Sequence, residues 1–188
     1  MTFVYSFGVL PRCGRHLYLL SSYEVKDSAP PAIVIGIDPG ATGGIACWRN
    51  NEPILAVPMP DTEGDQIELI RELIAPGDAI AFVELVGGFT GKGQPGSAMF
   101  KFGRSFGFTL GVLQTLNVRV ELVRPQTWQK PLSLGTASGC ATRTEWKNKL
   151  KACAQRLHPK LKPTLATADA ILILEHGLKS LRLGTAQQ

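Results

Sequence analysis

The run Ala32-Ile33-Val34-Ile35-Gly36-Ile37 constrains this chain more than any other feature. It is too short for a buried helix and rich in β-branched residues, so it reads as a strand. Polar and apolar residues do not alternate along it. Both faces are therefore covered, and the strand lies inside a sheet with helices on either side. Asp38 follows at its carboxyl end. The segment Asp38-Pro39-Gly40-Ala41-Thr42-Gly43-Gly44 is turn chemistry, and Ile45-Ala46-Cys47-Trp48 returns as the hairpin partner.

Downstream the pattern alternates. A third strand fits Ile54 to Val57. Ile67, Leu69, Ile70, Leu73 and Ile74 recur at helical spacing and stop at Pro76-Gly77. Ala79 to Val83 is a second buried strand and ends on Glu84. A glycine-rich loop, Gly87 to Gly96, leads into a helix over Ser97 to Leu116. Gly103, Gly107 and Gly111 repeat there every four residues. Such glycines cost helix propensity, so another backbone is expected to approach closely along that stripe. Val118 to Val123 is a further strand, Pro125 to Lys130 a short helical piece, and Ser133 to Thr142 a mobile polar segment. Helices over Arg143 to Leu157 and Ala166 to Lys179 complete the series. The expected fold is α/β: a mixed sheet of three antiparallel strands, then parallel strands, flanked by helices.

Residues 1–31 read as an N-terminal extension, and 32–188 as one domain. The extension has no acidic residue before Glu24 and ends in Ser28-Ala29-Pro30-Pro31. An organellar transit peptide has that bias. A loose tail or a start codon set too far upstream would look the same. Cys13, Cys47, Cys140 and Cys153 form neither a C-x-x-C pair nor a zinc spacing. Free thiols in a reducing, intracellular compartment are expected, cytoplasm or nucleoid, or an organelle if the extension is a transit peptide. No apolar run approaches the roughly 20 residues that span a bilayer, so no membrane is expected.

The net charge of +5 hides a segregation. Ile33 to Glu84 holds nine acidic and two basic residues; Leu85 to Thr164 holds thirteen basic and two acidic ones. A polyanionic partner on one face is expected. The candidate contacts are Lys92, Lys101, Arg104, Arg124, Lys130, Lys147, Lys149 and Lys151.

Three carboxylates carry the candidate chemistry. Asp38 and Glu84 end the two buried strands, and Asp169 lies in the first turn of the last helix. If those strands are parallel neighbours, their carboxyl ends share a rim, and the last helix crossing it would add Asp169. Converging carboxylates repel one another unless a cation lies between them. Hard oxygen donors suit Mg²⁺ or Mn²⁺. Two such ions, about 4 Å apart, would serve phosphodiester hydrolysis by activating water and stabilising the leaving oxygen.

The ordered set of motifs resembles RuvC-type Holliday junction resolvases of the ribonuclease H-like superfamily, closest to bacteriophage-encoded and chloroplast-type members. Ile35-Gly36-Ile37-Asp38-Pro39-Gly40 is similar to their opening motif. Val83-Glu84 with Met99 to Gly107 is similar to the second, and Val123 to Trp128 and Gln155 to Pro159 to later blocks. Ala168-Asp169-Ala170-Ile171-Leu172-Ile173 fits the last. The resemblance implies a structure-specific endonuclease that nicks four-way DNA junctions symmetrically as a homodimer. Catalytic and metal-binding roles are implied for Asp38, Glu84 and Asp169. It further implies that Phe89 stacks on an unpaired base and that Lys147 contacts the scissile phosphate or the attacking water. A lid on the local core and a plain basic helix face are the alternative readings of those two residues.

One departure stands out. Relatives carry an acid or an Asp-His pair just before the last Asp, where this chain has Thr164, Leu165 and Ala166. That leaves a second reading, a catalytically weak or inactive junction-binding protein of the same fold. An actin-like ATPase also opens with such a turn, but it clamps ATP between two domains. This chain has residues for one and no second Asp-x-Gly loop, so no nucleotide cofactor is expected. A transposase or RNA-directed nuclease would bring extra DNA-binding domains.

Overall fold

The structure, a computed structural model, describes residues 31–50, 52–75, 77–85 and 96–181. Five strands form one sheet: β1 (Ile33–Asp38), β2 (Gly44–Arg49), β3 (Leu55–Pro58), β4 (Ala79–Glu84) and β5 (Arg119–Val123). Their order across the sheet is β3-β2-β1-β4-β5. β1 pairs antiparallel with β2 and parallel with β4, and β4 pairs parallel with β5. The mixed sheet expected from the sequence is present, and β1 is its central strand.

Helices cover both faces. On one side lie α1 (Glu63–Ile74) and α2 (Gly96–Thr115). Ile33, Ile35 and Ile37 point there, into a core with Ile70, Leu73, Val112 and Leu113. On the other side lie α3 (Pro125–Gln129), α4 (Arg143–Leu157) and α5 (Ala168–Ser180). Val34, Ile80 and Phe82 meet Trp128, Trp146, Leu150 and the apolar residues of α5 on that side. The continuous apolar run of β1 is thus explained, because its alternate residues feed two separate cores.

Gly36 is the packing device that matters most for the rim. A Cβ on it would collide with the Ala170 carbonyl and the Leu174 backbone of α5. Only glycine lets that helix lie directly on β1, and this closeness brings the first turn of α5 to the end of the strand. Gly44 does the same for the segment before α5, where a side chain would meet the Ala166 carbonyl.

No neighbour among the described residues lies within 4 Å of the Cβ positions of Gly103, Gly107 or Gly111, so no described part of this chain makes the close approach expected along α2. Burial of α2 comes instead from Thr109, Val112 and Leu113, which lie off the stripe. The polar segment from Ser133 to Thr142 contains a 3-10 turn at Ala137–Gly139. Cys47 and Cys153 are buried free thiols, and Cys140 is a half-buried one. Among the described residues no helix is long and apolar enough to cross a membrane.

Candidate active site

Asp38, the last residue of β1, is fixed by the turn that follows it. Gly40 N–H points at Asp38 Oδ1 from 3.4 Å, and Gly43 N–H donates to the Gly40 carbonyl at 2.8 Å. A Cβ on Gly43 would strike the backbone carbonyl and carboxyl carbon of Asp38. Gly43 is therefore a steric requirement of the turn. The Ser105 hydroxyl on α2 donates to the Pro39 carbonyl and pins the turn from the other face.

Glu84 ends β4, the parallel neighbour of β1. Trp128 Nε1–H donates to Glu84 Oε1 at 3.0 Å. Trp128 sits on α3, which starts directly after β5 with Arg124 at its N-cap and a proline in its first turn. The fixed φ of Pro125 suits that start. Asp169 enters from α5 and is 4% exposed, against 7% for Asp38.

The fourth member comes from α4. Thr142 caps that helix by accepting from Glu145 N–H at 3.1 Å, while Glu145 accepts from Ala141 N–H at 2.9 Å. This reciprocal cap fixes the helix start. Trp146 and Leu150 turn inward, and Lys147 beside them reaches the rim. Its Nζ lies 2.5 Å from Asp169 Oδ2 and 3.9 Å from Asp38 Oδ2.

The electrostatics confirm that these groups sense one another. Burial first, then the Asp169 charge, raises the Asp38 carboxyl above its usual range, while Lys147, Gly40 and Arg143 pull it back down. Burial, then the Asp38 charge, pushes Glu84 up to about 7, against the Trp128 hydrogen bond. These are acids held close together in a dry place, and that is costly without a cation.

Does the set fit a metal ion? Among the described residues, no three Asp, Glu, His or Cys side chains stand close enough together to hold one. The donors are nonetheless all hard oxygens. Asp169 Oδ1 is buried with no hydrogen-bond partner among the described residues. A cation, the Lys147 ammonium, already lies between Asp38 and Asp169. Asp38 and Asp169 thus offer oxygen donors to one divalent ion at that position, with no third acid grouped beside them among the described residues. The neighbouring corner offers no ligand. The Thr164 and Thr167 hydroxyls are taken up by local hydrogen bonds, and Leu165 is an exposed apolar side chain. His176 packs edge-on against Phe82 with ring centroids 6.3 Å apart. His158 is half-buried with Nε2 3.3 Å from Glu175 Oε2, in the packing between α4 and α5.

A cleft of about 450 Å³ opens beside Lys147, lined by Thr42, Arg143, Thr144, Leu165 and Ala166. A larger hollow of about 580 Å³ runs along β5 and contains none of the carboxylates. The smaller one adjoins the chemistry. Among the candidate contacts, Lys101, Arg124, Lys130, Lys149 and Lys151 are exposed. Arg104 is exposed too but pairs with Glu63 at 2.8 Å, and Lys149 pairs with Glu145 at 3.1 Å. Phe89 and Lys92 lie outside the described residues. Sequence reasoning missed the Trp128–Glu84 bond. An indole whose ring is buried needs a partner for its N–H, and that was the available signal.

No protein-family model and no curated relative matches this chain. Solved structures do. The Thermus thermophilus RuvC in complex with a Holliday junction substrate is 17% identical, with a TM-score of 0.51, over 81% of this chain and 96% of that one. The chain has the RuvC fold. A second Thermus thermophilus RuvC structure is 18% identical with a TM-score of 0.49, covering 81% of this chain and 97% of that one. The fowlpox virus resolvase bound to junction DNA is 12% identical with a TM-score of 0.37, covering 78% of this chain and 99% of that one. At the carboxyl rim of β1 and β4, Lys147 joins Asp38 and Asp169, while Glu84 ends the neighbouring strand and accepts from Trp128.

Proposed function

We propose that this chain is a structure-specific DNA endonuclease that cuts four-way junctions by metal-assisted phosphodiester hydrolysis, working as a homodimer. The observation that carries this reading is the pairing of Asp38 and Asp169, from two separate elements, across the Lys147 ammonium, with Glu84 ending the parallel neighbour of β1. The RuvC fold and the junction-bound state of its Thermus counterpart supply the substrate class.

Asp38 and Asp169 would hold the ion, and Glu84 would complete the donor set from β4. Mg²⁺ or Mn²⁺ there would polarise the scissile phosphate and lower the pKa of the attacking water. Lys147, released from Asp169, faces the cleft with Arg143 and the Thr42 and Thr144 hydroxyls, a lining suited to backbone phosphate. Lys101, Arg124, Lys130, Lys149 and Lys151 extend that basic path. In a two-ion form of the mechanism Glu84 would hold the second ion; in a one-ion form Lys147 would supply that positive charge. Mn²⁺ titration separates them, with two or one equivalents bound per chain.

A junction is cut on two opposed strands, so two active sites are needed, and a two-fold dimer supplies them. The open face of α2 suits that contact: Phe100 is 72% exposed, and the Gly103, Gly107 and Gly111 stripe leaves room for a partner helix. Sedimentation should give a dimer at micromolar concentration.

The deciding experiment incubates the protein with a synthetic immobile four-way junction and Mg²⁺, Mn²⁺ or chelator. Paired symmetric nicks that vanish with chelator are expected. Asp38→Asn should lower cleavage by ~10³-fold or more while junction binding persists, because the change is nearly isosteric and removes one donor. The absence of a donor at Thr164, Leu165 and Ala166 favours a second reading, a junction-binding protein that does not cut. Tight, salt-sensitive binding without nicks in either metal would establish it.

A further inference from the structure

We propose that Leu165 makes the cleft beside Lys147 a deoxyribose-selective subsite, which discriminates against a ribonucleotide in the bound strand. The inference rests on the nuclease reading above and deepens it by naming the sugar. The lining of the cleft, about 450 Å³ in volume, is of two kinds. Arg143, Lys147, Thr42 and Thr144 offer cations and hydroxyls, whereas Leu165 and Ala166 offer no polar side-chain atom. Arg143 opens α4 and Lys147 follows one turn later, so both cations project from one side of that helix. Leu165 is 42% exposed. An exposed leucine alone is ordinary, but this one shares a cleft with a row of donors and is rigidly carried. Thr164 N–H donates to the Thr167 hydroxyl at 2.9 Å and Thr167 N–H to the Thr164 hydroxyl at 3.1 Å, which closes the backbone around Leu165. A side chain on Gly44 would strike the Ala166 carbonyl, so the segment is also seated against β2.

A nucleic-acid strand presents a phosphate and, directly attached to it, a sugar. The cations and hydroxyls suit the phosphate oxygens. The group that then meets Leu165 and Ala166 is the adjoining sugar, whose C2′ carries only hydrogen in DNA and a hydroxyl in RNA. Deoxyribose sets a CH₂ group against the leucine methyls, apolar against apolar. A 2′-hydroxyl in the same place gives up its water and finds no partner on either side chain. An apolar lining rejects an added hydroxyl by up to about 100-fold. Charge cannot make this distinction, because Arg143 and Lys147 meet the same phosphate in both polymers. The 2′-hydroxyl is the group by which a protein tells the two apart.

The test uses the full chain and synthetic four-way junctions in which a single ribonucleotide is stepped through the positions around the crossover. A matched set carries 2′-fluoro sugars, which keep the ribose-like pucker without the hydroxyl. Junction Kd in chelator and single-turnover nicking in Mn²⁺ are each read as a ratio to the all-DNA junction, so any general weakness of a variant cancels. For the wild type, one position is expected at which the ribonucleotide weakens binding or slows nicking about 10- to 100-fold, while 2′-fluoro there is tolerated. Leu165→Asn, which offers the hydroxyl a partner, should bring that ratio close to one, and the volume-conserving Leu165→Met should keep it. Three results overturn the inference: no position that discriminates, 2′-fluoro rejected as strongly as the hydroxyl, or a wild-type ratio in Leu165→Asn. A chain that cuts DNA junctions and ribonucleotide-bearing ones equally well loses this inference alone. A chain that binds no junction loses the nuclease reading with it.

Discussion

α5 and α2 both meet glycine at key contacts, and glycine serves opposite ends in the two. Ten of the thirteen residues of α5 are buried, and the helix lies so close to β1 that Gly36 cannot carry a side chain. Only Thr109, Val112 and Leu113 of the twenty residues of α2 are buried, and no described residue lies within 4 Å of the Cβ positions along its glycine stripe. On the α5 side, glycine sets a distance inside the chain and thereby places Asp169 beside Asp38. On the α2 side, it leaves a stripe that no described residue covers, the face proposed above for the dimer contact.

Substitution at the frame should have the largest effect. Gly36→Ala pushes a methyl group into the α5 backbone, where no flexible side chain can yield. A loss of about 3 kcal/mol or more is expected in urea unfolding, at the upper end of overpacking costs. Cleavage should fall further than stability alone explains, since α5 carries Asp169. A fully stable, active Gly36→Ala protein would break the comparison.

The next effect concerns the acids, which the α5 side buries at the rim and α2 lacks altogether. Burial and the Asp38 charge push Glu84 up to about 7, above the 4.5 of an exposed glutamate. The folded chain then binds this proton more tightly than the unfolded one. In chelator, this stabilisation is present below about pH 4.5 and is lost as pH rises toward 7. The loss is on the order of 3 kcal/mol at most. Glu84→Gln should flatten that part of the stability profile, measured by urea unfolding across pH.

Much of this was legible in the sequence, for identifiable reasons. β1 and β4 were readable because a strand covered on both faces must be apolar throughout. Asp38 and Glu84 were readable as acids ending those strands, and the parallel pairing of β1 with β4 follows from the alternation between them. The meeting of Asp169 with Lys147 was not readable from spacing, because it depends on how α4 and α5 cross. The glycine stripe signals close approach without saying whether the partner is in the same chain, and no described residue of this chain supplies it. Trp128 was visible only as part of a motif. Its bond to Glu84 requires the turn from β5 into α3.

The smallest effect is on the open face. Gly107→Ala should stabilise the isolated chain by up to ~1 kcal/mol, because a helical glycine is replaced where space is free. It should also weaken self-association in sedimentation, since a methyl group would hold the partner helix away. Stabilisation without a shift in association would remove α2 from the dimer contact.

The most direct test of the shared cation site is a crystal of the protein soaked in millimolar Mn²⁺ and measured for anomalous scattering. A peak between Asp38 and Asp169, with Glu84 turned toward it and the Lys147 ammonium moved off Asp169, is the predicted result. No peak, with Lys147 still bridging the two aspartates, would contradict it.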